Sequence, residues 1–189
     1  INVGRIYPEN RLETLVRALP IVAARWPTVK LVVIGRVTEE AQRLQQLARS
    51  LSVAGRIFWA GAIHDEDQIA PWMLSAALFC YPANIGLSIM HAMGYGLPVV
   101  TGASLASHGP EIEVLQNGVN GVLFKHGDAV ALAGAINSLL GDPGRRAAMS
   151  AAARRAIEAG YTIPKMADGF IAAVRYAASL RRQPPALAL

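Results

Sequence analysis

Short runs of β-branched and aliphatic residues alternate along the chain with longer stretches in which apolar residues recur every three or four positions. Val29 to Gly35 (VKLVVIG), Arg56 to Gly61 (RIFWAG), Ala77 to Tyr81 (ALFCY), Pro98 to Thr101 (PVVT) and Gly121 to Phe124 (GVLF) are nearly continuous apolar runs, the pattern of strands covered on both faces. Ile1 to Gly4 predicts one more. Between them, Arg11 to Arg25 sets Leu12, Leu15, Val16, Leu19 and Val22 on one stripe, and Glu39 to Leu51 does the same with Ala41, Leu44, Leu47 and Leu51. Asp65 to Leu74 and Ile85 to Gly94 predict shorter helices. From Asp128 onward consecutive helices are broken at Gly141-Asp142-Pro143-Gly144 and near Gly160. Strands alternating with helices predict an α/β domain over residues 1–178, a Rossmann-like parallel sheet flanked by helices. Residues 179–189, which include Gln183-Pro184-Pro185-Ala186, carry no pattern that continues a helix and are expected to form a disordered tail. Because the chain opens inside a strand, it is expected to be the C-terminal part of a larger protein.

Composition narrows the class. A chain of 189 residues, 53% hydrophobic, can bury one core. The mean hydropathy of +0.32 is high for a stand-alone domain and points to apolar surface made for a partner domain. The net charge of +5 suits an anionic ligand. Much of that excess, however, comes from Arg145, Arg146, Arg154, Arg155, Arg175, Arg181 and Arg182, which read as solvated helix faces. No nucleic-acid motif, interleaved aromatics or lysine-rich arm accompanies them, which argues against a nucleic-acid partner. Cys80 stands alone in an apolar run, so there is no internal disulfide framework and a reducing, cytoplasmic compartment fits. No apolar run approaches the roughly 20 residues of a membrane span, and no signal-peptide pattern opens the chain. The basic stretch Arg145 to Arg155 leaves peripheral membrane contact open for the intact protein.

Two segments carry candidate chemistry. Ile1 to Val16 puts Gly4 and Arg5 at the carboxyl end of a strand and Arg11 at the start of the next helix, and ligands of open α/β sheets bind at that edge. Glycine permits close approach and arginine grips phosphate oxygens in pairs, although a lone arginine by itself reads better as a solvated side chain. Tyr81 to Thr101 runs strand, small-residue turn, short helix, strand. A turn through Asn84, Ile85 and Gly86 would leave the first helical amides free for an anion, or for water alone. Asp65-Glu66-Asp67 spells the D-x-D used elsewhere to hold a metal bound to a diphosphate. Here it opens a helix, where acidic residues serve as caps. His64 and His126 lack the spaced partners of a zinc site, so no metal is expected.

Together these segments resemble the glycosyl transferases group 1 family, retaining enzymes of the GT-B fold, over essentially residues 1–178. Gly4-Arg5-Ile6 matches the Gly-Arg-Leu stretch that in the family holds the donor diphosphate. The family's following lysine falls on Asn10 by spacing, and the resemblance passes its role to the neighbouring Arg11. The family's hallmark is a pair of glutamates separated by seven residues, E-G-F-G-L-x-x-L-E-A-M-A-x-G-x-P-V-V. The frame is intact from Ala83 to Val100, but Ala83 replaces the first glutamate and His91 the second. The resemblance assigns position 83 to the transferred sugar and position 91 to the nucleotide ribose. A histidine ring nitrogen can still bond a hydroxyl, whereas Ala83 has nothing to offer one. Pro110 to Phe124 resembles the family's P-E-x-x-x-x-G-x-x-G-x-L, preceded by His108, which reads either as a donor contact or as a packing residue. The glycine-rich loop after the second strand is replaced by Gly35-Arg36-Val37-Thr38.

The resemblance implies Arg5 and Arg11 as catalytic residues and Gly4, Asn84, Gly86, Leu87, Ser88 and His91 as donor-binding residues. It implies a nucleotide diphosphate sugar as donor, no separate cofactor, and transfer of a hexosyl group with retained configuration to an acceptor held by an N-terminal domain, the isolated half being inactive. The two missing glutamates keep a catalytically silent nucleotide-sugar-binding module as the alternative. A sugar-nucleotide epimerase of similar architecture ranks behind both.

Overall fold

The computed structural model describes residues 1–180. Among them, short strands β1 (Asn2–Val3), β2 (Leu31–Ile34), β3 (Ile57–Gly61), β4 (Phe79–Cys80), β5 (Val99–Gly102) and β6 (Gly121–Phe124) alternate with helices. The helices are α1 (Leu12–Arg25), α2 (Glu39–Ser50), α3 (Glu66–Ser75), α4 (Ser88–Gly94), α5 (Ala129–Leu140), α6 (Pro143–Gly160) and α7 (Ile163–Leu180). The strands pair in parallel as β1-β2-β3 and β4-β5-β6. The two triplets meet along β1 and β4, where the Ile1 amino group donates to Leu78 O (3.0 Å) and Cys80 N donates to Ile1 O (2.9 Å). The strand order is therefore 3-2-1-4-5-6. The order reverses between β1 and β4, which opens a crevice at the carboxyl ends of those strands.

Strand alternation divides the core. Leu31, Val33, Cys80 and Val100 face one way, onto Leu15, Leu19, Leu44, Leu132 and Leu139 of α1, α2 and α5. Phe79, Tyr81 and Val99 face the other, onto Ile69, Met73, Ile89 and Met93 of α3 and α4 and Ala153 of α6. Both faces are covered, as the continuous apolar runs require. Local chemistry sets the helix starts. Asp128, Asp142 and Thr38 each accept a backbone amide at the start of α5, α6 and α2, and Pro143 occupies the first turn of α6.

Most expected elements lie within a residue or two of the observed ones. Two differ more. The helix expected from Ile85 starts at Ser88, and α7 runs through Ser179 and Leu180, past the expected end of the domain at residue 178. The remainder of the expected tail, with Arg181 and Arg182, lies outside the described residues. All of α7 is exposed, including Ile163, Met166, Phe170 and Val174. Among the described residues, no helix is long and apolar enough to cross a membrane.

Candidate functional site

The crevice is built from glycines first. Gly4, at φ 151°, follows β1 so closely beside β4 that a Cβ there would lie 2.9 Å from Cε2 of Tyr81. A Cβ on Gly35 would overlap the Gly4 carbonyl oxygen. Hydrogen bonds from Gly4 N to Ile34 O (2.9 Å) and from Gly35 N to Gly61 O (2.8 Å) draw the three strand ends together.

Arg5 emerges from this knot into a cleft of about 400 Å³ lined by Gly4, Tyr7, Arg36, Thr38 and His64. Its guanidinium stands 5.8 Å from the Tyr7 ring centre, a cation–π arrangement. Burial pushes the Tyr81 phenol above its ordinary pKa, and the nearby charge of Arg5 partly opposes that shift. Among the described residues, neither Arg5 nor Arg36 has an acidic partner. Arg36 and His64 were not among the expected site residues. The signal for Arg36 was in the sequence: Gly35-Arg36 ends β2 just as Gly4-Arg5 ends β1.

Arg11 goes elsewhere. It takes up the left-handed conformation (φ 48°, ψ 37°) between a short 3-10 turn at Pro8–Asn10 and α1. Its side chain lines a separate cleft with Glu13, Arg17, Glu40 and Arg43, and its Nη1 lies 3.2 Å from where a Cβ on Gly127 would stand. Asn10 is buried and accepts the Tyr7 amide on Oδ1 (3.1 Å). The structure therefore does not bring Arg11 or Asn10 into the cleft of Arg5.

The loop after β4 does not line the cleft of Arg5 and is built separately. Ala83 is buried, and its amide donates to Asn10 O (3.2 Å). Asn84 is exposed and left-handed at φ 54°. Ile85 is held by the loop after β5: its amide donates to His108 Nδ1 (3.2 Å) and its carbonyl accepts from Gly109 N (2.8 Å). That capture is why α4 starts three residues late. Because α4 has only seven residues, the expected dipole contribution is small. The amides of Gly86, Leu87 and Ser88 nonetheless have no acceptor among the described residues. His108 completes the lock by donating from Nε2 to Gly102 O (2.8 Å). Both ring nitrogens are thus engaged by backbone, and burial pulls the His108 pKa below its ordinary value of 6.5. Of its two sequence readings, this geometry is the packing one.

His91 sits one turn into α4, where Nε2 meets Oε1 of Glu66 at 2.8 Å, and the Tyr95 hydroxyl donates to the same oxygen. The motif position filled by a carboxylate in the resembled family is therefore in contact with one that comes from α3. The bond from His91, and then that from Tyr95, hold the Glu66 carboxyl below the usual range. Glu66 in turn pushes Tyr95 up to about 12. Asp65 is the cap of α3, accepting the Asp67 amide (3.0 Å) and Gln68 Nε2 (3.1 Å).

Comparison with known proteins bears on the fold and the family. Residues 1–142 match the family described as "Glycosyl transferases group 1". Over 162 residues, the chain is 30% identical to the GDP-mannose-dependent alpha-(1-6)-phosphatidylinositol monomannoside mannosyltransferase of Mycolicibacterium smegmatis, covering 80% of this chain and 41% of that one. The C-terminal domain of the glycosyl transferase group 1 family protein LpcC from Francisella tularensis superposes with a TM-score of 0.74 at 20% identity, covering 86% of this chain and 85% of that one. Anabaena Alr3699/HepE, solved in complex with UDP, superposes with a TM-score of 0.71 at 25% identity over 83% of this chain and 43% of that one. The chain spans less than half the length of the curated relatives it matches, 41% and 48% for two of them. With three quarters of its residues inside the family match, the chain belongs to the glycosyl transferases group 1 family.

Proposed function

We propose that this chain is the donor-binding half of a glycosyltransferase. It holds a nucleotide diphosphate sugar at the β1/β4 crevice while a second domain presents the acceptor, and the hexosyl group is transferred with retained configuration. The observation that carries this reading is Arg5, a guanidinium free of acidic partners, set by Gly4 at the point where the strand order reverses. Departure of the nucleoside diphosphate builds negative charge on its terminal phosphate, and Arg5 with the free loop amides of Gly86 and Leu87 would meet that charge. Arg36 adds a second cation to the same cleft. No metal is required by this scheme, since cations of the chain itself face the diphosphate and Asp65 is committed to its helix cap.

Two observations support the second domain. The relatives are more than twice as long as their matched parts, and α7 presents Ile163, Met166, Phe170 and Val174 on an uncovered surface. Peripheral contact with a membrane from the cytoplasmic side fits the exposed Arg145 and Arg155 and the lipid-linked acceptor named for the mannosyltransferase relative.

The test is calorimetric titration of the chain with UDP, GDP and their sugar esters, followed by turnover of the two-domain protein. Arg5→Ala is expected to raise the barrier by about 2 to 4 kcal/mol. Unchanged turnover would remove Arg5 from the mechanism. A second reading, a binding module without catalysis, is favoured by one observation: Ala83 is 1% exposed and carries no group that could reach a sugar. Nucleotide binding without any transfer or hydrolysis by the two-domain protein would select it.

A further inference from the structure

We propose that Glu66 reads a vicinal diol of the bound nucleotide sugar, held in place by His91 and Tyr95; this role rests on the donor-binding reading above. Glu66 is the first residue of α3, but Asp65 serves as the cap, so the Glu66 side chain is not needed at the helix end. It reaches instead to α4, where Oε1 meets both His91 Nε2 (2.8 Å) and the Tyr95 hydroxyl. The two donors, one within α4 and one at its C-terminal cap, fix the carboxylate. Among the described residues Oε2 has no partner, and the Glu66 side chain is 59% exposed. The result is an oriented acceptor with two lone pairs open.

Its surroundings decide what it accepts from. The loop that leads into Glu66 contributes Ile63 and His64 to the cleft of Arg5 and Arg36, yet neither arginine pairs with Glu66. A fixed carboxylate repels phosphate oxygens, so it cannot serve the anionic part of a ligand whose charge the arginines take. The donors left are the N–H groups of the base, which change from one nucleotide to the next, and the hydroxyl groups, which every nucleotide sugar carries. A carboxylate matches two neighbouring hydroxyls in the same way that it matches the fork of a guanidinium. A nucleotide sugar carries such a pair on its ribose and another on its hexose. His91 and Tyr95 act as positioning residues, since they touch Glu66 and hold its free oxygen outward.

The experiment compares wild type with Glu66→Gln by calorimetry against UDP and GDP, their 2′-deoxy analogues, and their hexose esters. Glutamine keeps the size of the side chain and an oxygen that can accept from Tyr95, and circular dichroism checks the fold. For a ribose diol, Glu66→Gln should bind the ribonucleotide about tenfold more weakly than wild type does. The 2′-deoxy analogue, which keeps one of the two hydroxyls, should lose less, so that discrimination between the two shrinks, an effect that mere loosening of α3 against α4 would not produce. A loss confined to the hexose ester assigns the diol to the hexose instead. Equal affinities of wild type and Glu66→Gln for every ligand would overturn the assignment and leave the donor site standing. Failure of wild type to bind either nucleotide would bring down the donor site itself, and the role of Glu66 with it.

Discussion

The loops that follow the two strand triplets, the walls of the proposed crevice, solve different problems. After β1, β2 and β3 the loops carry Arg5, Arg36 and His64 exposed and without acidic partners, while after β4 and β5 they carry few charges and many fixed contacts. Ile85 is held at both its amide and its carbonyl, and so is Gly102, whose amide donates to Pro82 O at 3.0 Å. One wall offers charge whose geometry a ligand can complete; the other offers backbone amides already in place. A diphosphate with a long organic tail needs both, since charge draws it in and rigid donors set its register. Two acids of the neighbouring cleft are already paired. Glu13 holds Arg17 (2.7 Å) and Arg43 (2.5 Å), and Glu40 holds Arg43 (2.8 Å).

The largest effect that would break this contrast is at the base of the charged wall. Gly35→Ala puts a Cβ onto the Gly4 carbonyl oxygen, and backbone cannot swing aside as a side chain can. A stability loss of about 2 to 3 kcal/mol is expected in urea unfolding, with Arg5 displaced as well. An unchanged midpoint would mean that the strand ends are looser than described. Next comes Arg36→Ala, expected to weaken nucleoside diphosphate binding by about tenfold while leaving unfolding unchanged. The affinity it removes should be the salt-sensitive part. Equal affinity and equal salt dependence in the variant would take Arg36 out of the site.

The rigid wall is tested by pH. His108 is neutral in the fold, its Nδ1 accepting from Ile85 N, and its folded pKa lies below the ordinary 6.5. The unfolded chain therefore takes up this proton first as the solution is acidified. The stability contribution is complete above about pH 6.5 and declines as pH falls from there through the folded pKa. Thermal unfolding of wild type should show this decline, and His108→Gln should lack it. Identical pH profiles would show that the lock is not what holds the loop.

The fold was legible because its determinants are local. Alternating apolar runs named every strand, and the Gly141–Gly144 break with its Asp142 cap separated α5 from α6 as read. The site was legible only where one segment builds it, as Gly4-Arg5 does. What escaped was long-range. Glu66 meets His91 across 25 positions, and His108 holds Ile85 across 23, a contact that also shortened α4. No pattern within either segment encodes its partner, because the sheet order brings the two together.

Arg11 gives the smallest expected effect and the sharpest test of the division between clefts. Sequence spacing set it beside the family's phosphate-binding lysine, but one left-handed residue decides otherwise. At φ 48° the chain reverses between the 3-10 turn and α1, and the side chain leaves the crevice for the groove of Glu13, Glu40 and Gly127. There its charge faces carboxylates already shared by Arg17 and Arg43, so its removal disturbs neither the cations nor the amides of the crevice. Arg11→Ala should change UDP or GDP affinity less than about twofold. Arg11→Gly should leave binding equally intact and relax the left-handed turn, which glycine adopts without strain. A tenfold loss of affinity in Arg11→Ala would show that the guanidinium reaches the phosphates after all, and the two clefts would then be one site.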